Sequence, residues 1–256
     1  MRDQDRETAL LDQTLERAMP NPFPTMWEVL GHCIPEDHCE QVDALYFLRN
    51  LPQDADLELL DHGCGAGRLR AWLLEHKPRA RYSGVDLEAS PEVADRNKDL
   101  AGLDCFSAFD GLALPFPDSR FDVVYSSTVF EHVRHPDRAL AEIRRVLKPG
   151  GSFLASVAYL YPYHSYSIQN FTPYGWHTLL SENGFQVMEL RPGIDALASV
   201  VRGYRGNPAS LGRWFSASPF NAAIEARARA AGQSVQQINM RKIMNTGVLF
   251  SRSMAV

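Results

Sequence analysis

The run from Leu57 to Arg68, LELLDHGCGAGR, constrains the fold more than any other part of the chain. Leu57, Leu59 and Leu60 predict a buried parallel strand that ends near Asp61, and Arg68 to His76 reads as a helix with Leu69, Trp72 and Leu73 on its inner face. Between them stand three glycines on alternate positions, Gly63, Gly65 and Gly67. Glycine lets the backbone turn sharply and lets a ligand approach without interference from a Cβ. Strand, glycine turn and helix in this order suit the cofactor end of an α/β sheet, although a plain tight connection would use the same residues.

Asp61 bears on what the turn can bind. Such a turn is ordinarily an anion site, because free N–H groups and the helix dipole favour negative charge. A carboxylate two residues before the first glycine repels a dinucleotide pyrophosphate and attracts an ammonium or sulfonium group. S-adenosylmethionine carries both cations. The spacing G-x-G-x-G also departs from the G-x-G-x-x-G of dinucleotide folds, which argues against a nicotinamide oxidoreductase.

Arg81 to Leu87 predicts a second strand, and its Asp86 stands about twenty residues beyond the glycines, where a carboxylate meets a ribose. A loop or helix-start acid before a helix at Pro91 to Asp99 is the alternative for Asp86. A third strand is expected at Leu103 to Ala108, followed by Asp110-Gly111, an acid able to bond an adenine amino group. Further strands are expected at Arg120 to Ser127, Ser152 to Ala158, Phe185 to Leu190 and Gly247 to Ser251, with helices at His135 to Leu147 and Thr172 to Glu182. That alternation predicts an α/β, Rossmann-like, doubly wound seven-stranded sheet.

With the blocks Leu114-Pro115-Phe116-Pro117-Asp118, Ser126-Ser127-Thr128-Val129-Phe130-Glu131-His132-Val133 and Arg145-Val146-Leu147-Lys148-Pro149-Gly150-Gly151, the chain resembles the class I S-adenosylmethionine-dependent methyltransferases over roughly Leu57 to Glu189. The resemblance implies a mostly parallel sheet with an antiparallel last strand and S-adenosyl-L-methionine as cofactor. It places Asp61, Gly63, Cys64, Gly65 and Gly67 around the methionine half, Asp86 on the ribose, Leu87, Asp110 and Gly111 about the adenine, and Ser126 near the transferable methyl. His62 departs from the pattern, which has an apolar residue there; it is either a peculiarity of the cofactor mouth or a histidine hydrogen-bonded in the wall. In ubiquinone-pathway O-methyltransferases the block around Glu131-His132 can contribute to metal binding, but Thr128 replaces the glutamate that precedes it, so no metal is expected there.

Net charge of -5 provides no basic surface, and no nucleic-acid module is present, so a small-molecule acceptor is expected rather than nucleic acid. The first twenty residues lack an apolar signal core and the longest apolar stretch, Ser152 to Leu160, is too short to span a bilayer, so a cytoplasmic protein without membrane contact is expected. The four cysteines agree with a reducing compartment. A homodimer is compatible with this reading. Gly31 to Glu40 packs His32-Cys33 and His38-Cys39 into one segment; of metal binding and chance clustering, the second is favoured because adjacent residues point different ways and zinc ligands usually come as spaced pairs from two segments.

Residues 1–55 precede the first strand and read as helices at Glu7 to Met19 and Gln41 to Leu48, forming either a lid or a pad against the sheet; residues 56–256 form the catalytic domain, with a helical insertion at about 191–245. Within the insertion Arg202, Arg205, Arg213, Arg227, Arg229, Arg241 and Lys242 read as solvated helix faces or, less often, as a surface for an acidic partner.

Methyl transfer is an in-line displacement, so alignment and a dry pocket dominate, and a base helps chiefly with a hydroxyl acceptor. His132, beyond the fourth strand, is the first candidate, with a structural role as its alternative. His164 is the second, among aromatics where Tyr163 and Tyr166 suit an acceptor wall and Tyr174 and Trp176 suit packing of a helix start. A methyltransferase acting on a small molecule is expected, O-methylation slightly favoured. The alternative from another class is a non-catalytic S-adenosylmethionine-binding or regulatory protein of the same fold.

Overall fold

A computed structural model describes residues 24–87, 105–161 and 166–256. The helices expected at Glu7 to Met19 and Pro91 to Asp99, and the residues Tyr163 and His164, lie outside the described residues.

Seven strands form one sheet: β1 (Glu58–His62), β2 (Arg81–Leu87), β3 (Phe106–Phe109), β4 (Phe121–Ser127), β5 (Leu147–Ala158), β6 (Phe185–Pro192) and β7 (Val248–Ala255), in the order β3-β2-β1-β4-β5-β7-β6. β3, β2, β1, β4 and β5 run parallel, while β7 inserts antiparallel between β5 and β6, as the expected topology requires. β1 is central and buried along most of its length, which explains its near-continuous apolar run.

Two apolar clusters cover the two faces. On one, Leu60, Val124, Phe153 and Leu190 pack with helices Pro136–Val146 and Pro173–Glu182 and with Leu30, Cys33 and Ile34 of the N-terminal segment. On the other, Leu59, Val123, Leu154 and Phe250 pack with Leu69 and Leu73 of helix Arg68–His76, and with Val42, Phe47 and Ala198. Ala139, Leu140, Ile143 and Val146 form the buried stripe of the helix Pro136–Val146, at the spacing of one helical face, and a proline opens its first turn. Thr172 caps the helix Pro173–Glu182 by accepting from Gly175 N at 2.9 Å. Trp176 in that helix is fully buried, its Nε1 donating to Ser251 Oγ at 2.9 Å, so it packs the core as expected. Tyr174 does not, being 46% exposed.

Several boundaries move for identifiable reasons. The helix expected over Gln41 to Leu48 shrinks to Tyr46–Arg49, because Val42 N donates to Pro192 O at 2.8 Å and Gln41 is drawn into contacts with the insertion. β5 begins at Leu147 rather than Ser152, since the glycine pair is absorbed into the strand with a register irregularity opposite β4.

The insertion folds as helices Ala196–Tyr204, Pro219–Ala230 and Val235–Met244 around a 3-10 segment, Ala209–Phe215. Its cations are not all solvated, as the sequence suggested. Arg202, Arg241 and Lys242 are buried. The Arg202 guanidinium lies 4.2 Å over the Phe215 ring, and Lys242 Nζ meets Glu225 at 2.6 Å. Arg241 Nε donates to Gln233 Oε1 at 2.6 Å, so the aliphatic stems enter the packing while the polar ends meet a carboxylate, an aromatic face and an amide oxygen.

Candidate active site

The glycine turn leaves the C-terminal end of β1, where open α/β sheets bind ligands. Gly63, Gly65 and Gly67 have φ of +75°, +50° and +69°, in the left-handed region that side chains rarely enter. A Cβ on Gly63 would stand 2.3 Å from Val129 Cγ2, so this glycine lets the turn pass against the loop after β4. Around Gly65 a Cβ would meet nothing within 4 Å, and the backbone there faces open space. Gly65 N donates to Asp86 Oδ2 at 2.7 Å and Leu87 N to Asp86 Oδ1 at 2.7 Å. The acid at the tip of β2 is thereby fixed beside the turn rather than belonging to a distant loop.

Asp61 and His62 are buried at 4% and 3% exposure. Asp61 Oδ2 accepts from Tyr82 OH at 2.9 Å. Burial pushes its carboxyl up to about 7; the Tyr82 hydrogen bond pulls the other way, and the Asp86 charge adds to the rise. His62 Nδ1 lies 3.2 Å from Ser126 Oγ, and burial pushes the imidazole down to about 4. Of the two expectations for His62, the structure has the hydrogen-bonded wall histidine. Its ring is edge-on to Phe109 at 5.8 Å.

Leu87 and Gly111 adjoin, since a Cβ on Gly111 would stand 2.9 Å from Leu87 Cδ2. Asp110 is exposed and its Oδ1 accepts from Leu112 N and Ala113 N at 2.8 and 3.0 Å, backbone bonds that hold its carboxyl below the usual range. Cys64 is buried within the turn. Thus Asp61, Gly63, Cys64, Gly65, Gly67 and Asp86 converge at the tips of β1 and β2, with Leu87 and Gly111 beside each other at the far end. Ser126 is fully buried behind them, its hydroxyl turned to His62.

His132 ends a 3-10 turn, Phe130–His132, just past β4 and is half-buried. Tyr166 is 53% exposed in a turn.

A second concavity opens at the same edge of the sheet. A cavity of about 240 Å³ is lined by Val42, Ala44, Ile194, Phe215, Val248 and Phe250, with Asp43, Ser127, Thr128 and Ser156 among its walls. Thr128 has φ of +53°, a strained conformation for a β-branched residue. It is held there by Thr128 N donating to Ser156 O at 3.0 Å and Ser156 Oγ at 3.1 Å, while Thr128 Oγ1 donates to Ser127 O at 2.7 Å. Val129, the next residue, is the one that touches Gly63. The cavity and the glycine turn are therefore neighbours across β4.

Gln41 ties together two of the segments that line this cavity. Its Nε2 donates to Trp214 O at 2.7 Å and Phe215 O at 2.8 Å, and its Oε1 accepts from Ser218 N at 3.1 Å and Asn221 Nδ2 at 2.8 Å. One side chain thus joins the N-terminal segment to the insertion. Ser218 Oγ also donates to Asp195, which caps the helix Ala196–Tyr204. None of Gln41, Val42, Phe215 or Phe250 stood out in the sequence, because no local spacing marks a site built from segments this far apart.

The sheet, the strand order and the cofactor-end turn define the class I S-adenosylmethionine-dependent methyltransferase fold. Residues 60–155 match the family described as Methyltransferase domain. A demethylmenaquinone methyltransferase of Thermus thermophilus is 39% identical over 102 residues, covering 39% of this chain and 46% of that protein. A fatty-acid O-methyltransferase of Mycolicibacterium smegmatis is 33% identical over 175 residues, covering 62% of this chain and 60% of that one. The chain spans less than two thirds of either relative. The crystal structure of a SAM-dependent methyltransferase from Aquifex aeolicus superimposes with a TM-score of 0.52 at 14% identity, over 91% of this chain and 94% of that chain. Among the described residues no helix is long and apolar enough to cross a membrane.

Proposed function

We propose that the protein is an S-adenosylmethionine-dependent methyltransferase acting on a small molecule with an apolar body and an oxygen as acceptor atom. The observation that carries the reading is the apolar cavity of Val42, Ile194, Phe215, Val248 and Phe250, one strand from the glycine turn. Its walls are mostly apolar and their one carboxylate, Asp43, is paired with Arg49 at 2.9 Å, which suits a hydrocarbon chain or a substituted ring. The relatives named for a fatty acid and for demethylmenaquinone support the same substrate chemistry.

The cleft fits the cofactor on its own chemistry. Open space over Gly65 admits a ligand against the backbone, Asp86 offers a carboxylate beside it for ribose hydroxyls, and Asp61 offers a buried carboxyl for a cation. When bound, S-adenosylmethionine supplies a methyl group on a sulfonium; the acceptor oxygen forms a bond to that carbon as the carbon–sulfur bond breaks and its electron pair passes to sulfur. The chain's part is alignment and exclusion of water. Gln41 ties residues 42–44 to Phe215, so the N-terminal segment forms part of the cavity lining. A carboxylate acceptor is already ionised and needs no base; a hydroxyl acceptor would give its proton to His132, the imidazole past β4.

The test is release of S-adenosylhomocysteine against a panel of fatty acids, hydroxylated quinols and polar amines. Turnover confined to the apolar acids and quinols is expected. Turnover restricted to polar amines would sink the substrate class, and silence across the panel with intact cofactor affinity would favour the non-catalytic alternative.

A further inference from the structure

We propose that His32, Cys33 and His177 form a binding site for a divalent transition-metal ion, zinc before others, that clips the N-terminal segment to the helix Pro173–Glu182. One ligand atom from each of the three lies within 4.8 Å of the other two. Zinc takes imidazole nitrogen and thiolate sulfur together, and three protein ligands with one water complete a tetrahedron. Ligand atoms on such a tetrahedron stand roughly 3.3 to 3.8 Å apart, given Zn–N of about 2.0 Å and Zn–S of about 2.3 Å, so modest side-chain rotation closes the site.

The adjacency of His32 and Cys33 spoke against a metal in the sequence, because two neighbours alone cannot surround an ion. The fold removes that objection by bringing His177 from a second segment far along the chain. The 3-10 turn Gly31–Cys33 that carries the pair is fixed from outside: Gln236 Nε2 donates to Gly31 O and to Ile34 O, both at 3.0 Å. Ligands on a braced turn lose less freedom when an ion arrives.

The arrangement of the two rings leaves their nitrogens available to an ion. The imidazoles of His32 and His177 meet edge to face at 5.5 Å, and among the described residues neither ring nitrogen has a hydrogen-bond partner. Cys33 is 1% exposed and donates its S–H to Leu30 O at 3.1 Å, a bond that an arriving ion has to displace. Binding would break the S–H bond, form a metal–sulfur bond and release the proton to solvent. His32 is exposed and provides the entry path. This site is built on other residues than the cofactor cleft and takes no part in methyl transfer.

The full chain, stripped with chelator under reducing conditions, is titrated with cobalt(II) and then zinc. One cobalt per chain is expected, with the d–d intensity of a four-coordinate ion and a near-ultraviolet thiolate-to-cobalt charge-transfer band that zinc abolishes; zinc should also raise the melting temperature. His177→Phe keeps a ring against His32 while removing the ligand, and should weaken binding by roughly 100-fold or more, since even outer-sphere partners of a metal are worth about 10- to 100-fold. Cys33→Ser should remove the charge-transfer band. Absence of that band in the native protein, or an unchanged titration in a His177→Phe variant that retains its folded circular-dichroism spectrum, would overturn the proposal and leave an edge-to-face packing contact.

Discussion

The glycine-turn cleft proposed for the cofactor and the cavity proposed for the acceptor lie side by side at one edge of the sheet, yet they are built in opposite ways. The cleft is made of residues close in sequence: a strand, five consecutive turn positions and the tip of the next strand. The cavity is made of residues 42–44, 127–128, 156, 194, 215 and 248–250, brought together by the completed fold. A local site depends on backbone conformation, so its sensitive positions are glycines and the acids that bond the turn. An assembled site depends on long-range contacts, so its sensitive position is the side chain that ties the pieces, Gln41.

The largest separation between the two should come from Gly63→Ala, which adds a Cβ 2.3 Å from Val129 Cγ2 at a positive φ. Overpacking and left-handed strain together should cost about 2–4 kcal/mol in urea unfolding and abolish measurable cofactor binding. Gly150→Ala is the control, because φ there is also positive but nothing lies within 4 Å; a similar loss in both variants would mean that strain alone matters.

Gln41→Ala attacks the other region. It strands the Ser218 backbone N–H and one Asn221 Nδ2 proton and should cost about 2–3 kcal/mol of stability, raise KM for the acceptor and leave cofactor affinity nearly unchanged. Equal losses of affinity for both ligands would show that the regions are not separable.

Asp86→Ala should weaken S-adenosylmethionine binding by about 1–3 kcal/mol through lost charge-assisted hydrogen bonds. Unchanged calorimetric affinity would remove Asp86 from the site.

The smallest effect is a pH dependence. Asp61 is pushed up to about 7, so below that pH it is mostly protonated in the free protein. A cationic ligand selects the ionised form, so binding must release the proton. Affinity should therefore fall as pH drops below about 7, by at most about tenfold per unit, and level off above it. Asp61→Asn should flatten that slope; a slope that persists in this variant would assign it to another group.

How much of this could be read beforehand follows the same division. β1, the glycine turn, Asp86 and the strand order were legible because each rests on short-range patterns: apolar runs, positive-φ glycines and acids at strand ends. The truncation of the helix at Gln41 was not, since its residues satisfy their polar groups with Pro192, Trp214 and Phe215, far along the chain. Nor was the burial of Arg202 and Lys242, whose charges found partners in the insertion instead of water. Tyr174 was expected in the packing for its aromatic character, but the capped helix turns it outward and gives the core position to Trp176.

The antiparallel placement of β7 has a consequence during biosynthesis. β5 leaves the ribosome far ahead of the strand that must lie against it, so the backbone edge of β5 stays open while the whole insertion is translated. β6 likewise has no neighbour in the sheet until β7 slots between them. A nascent chain paused within the insertion would expose two adhesive rims at once, which makes this interval the one in which a chaperone has most to shield.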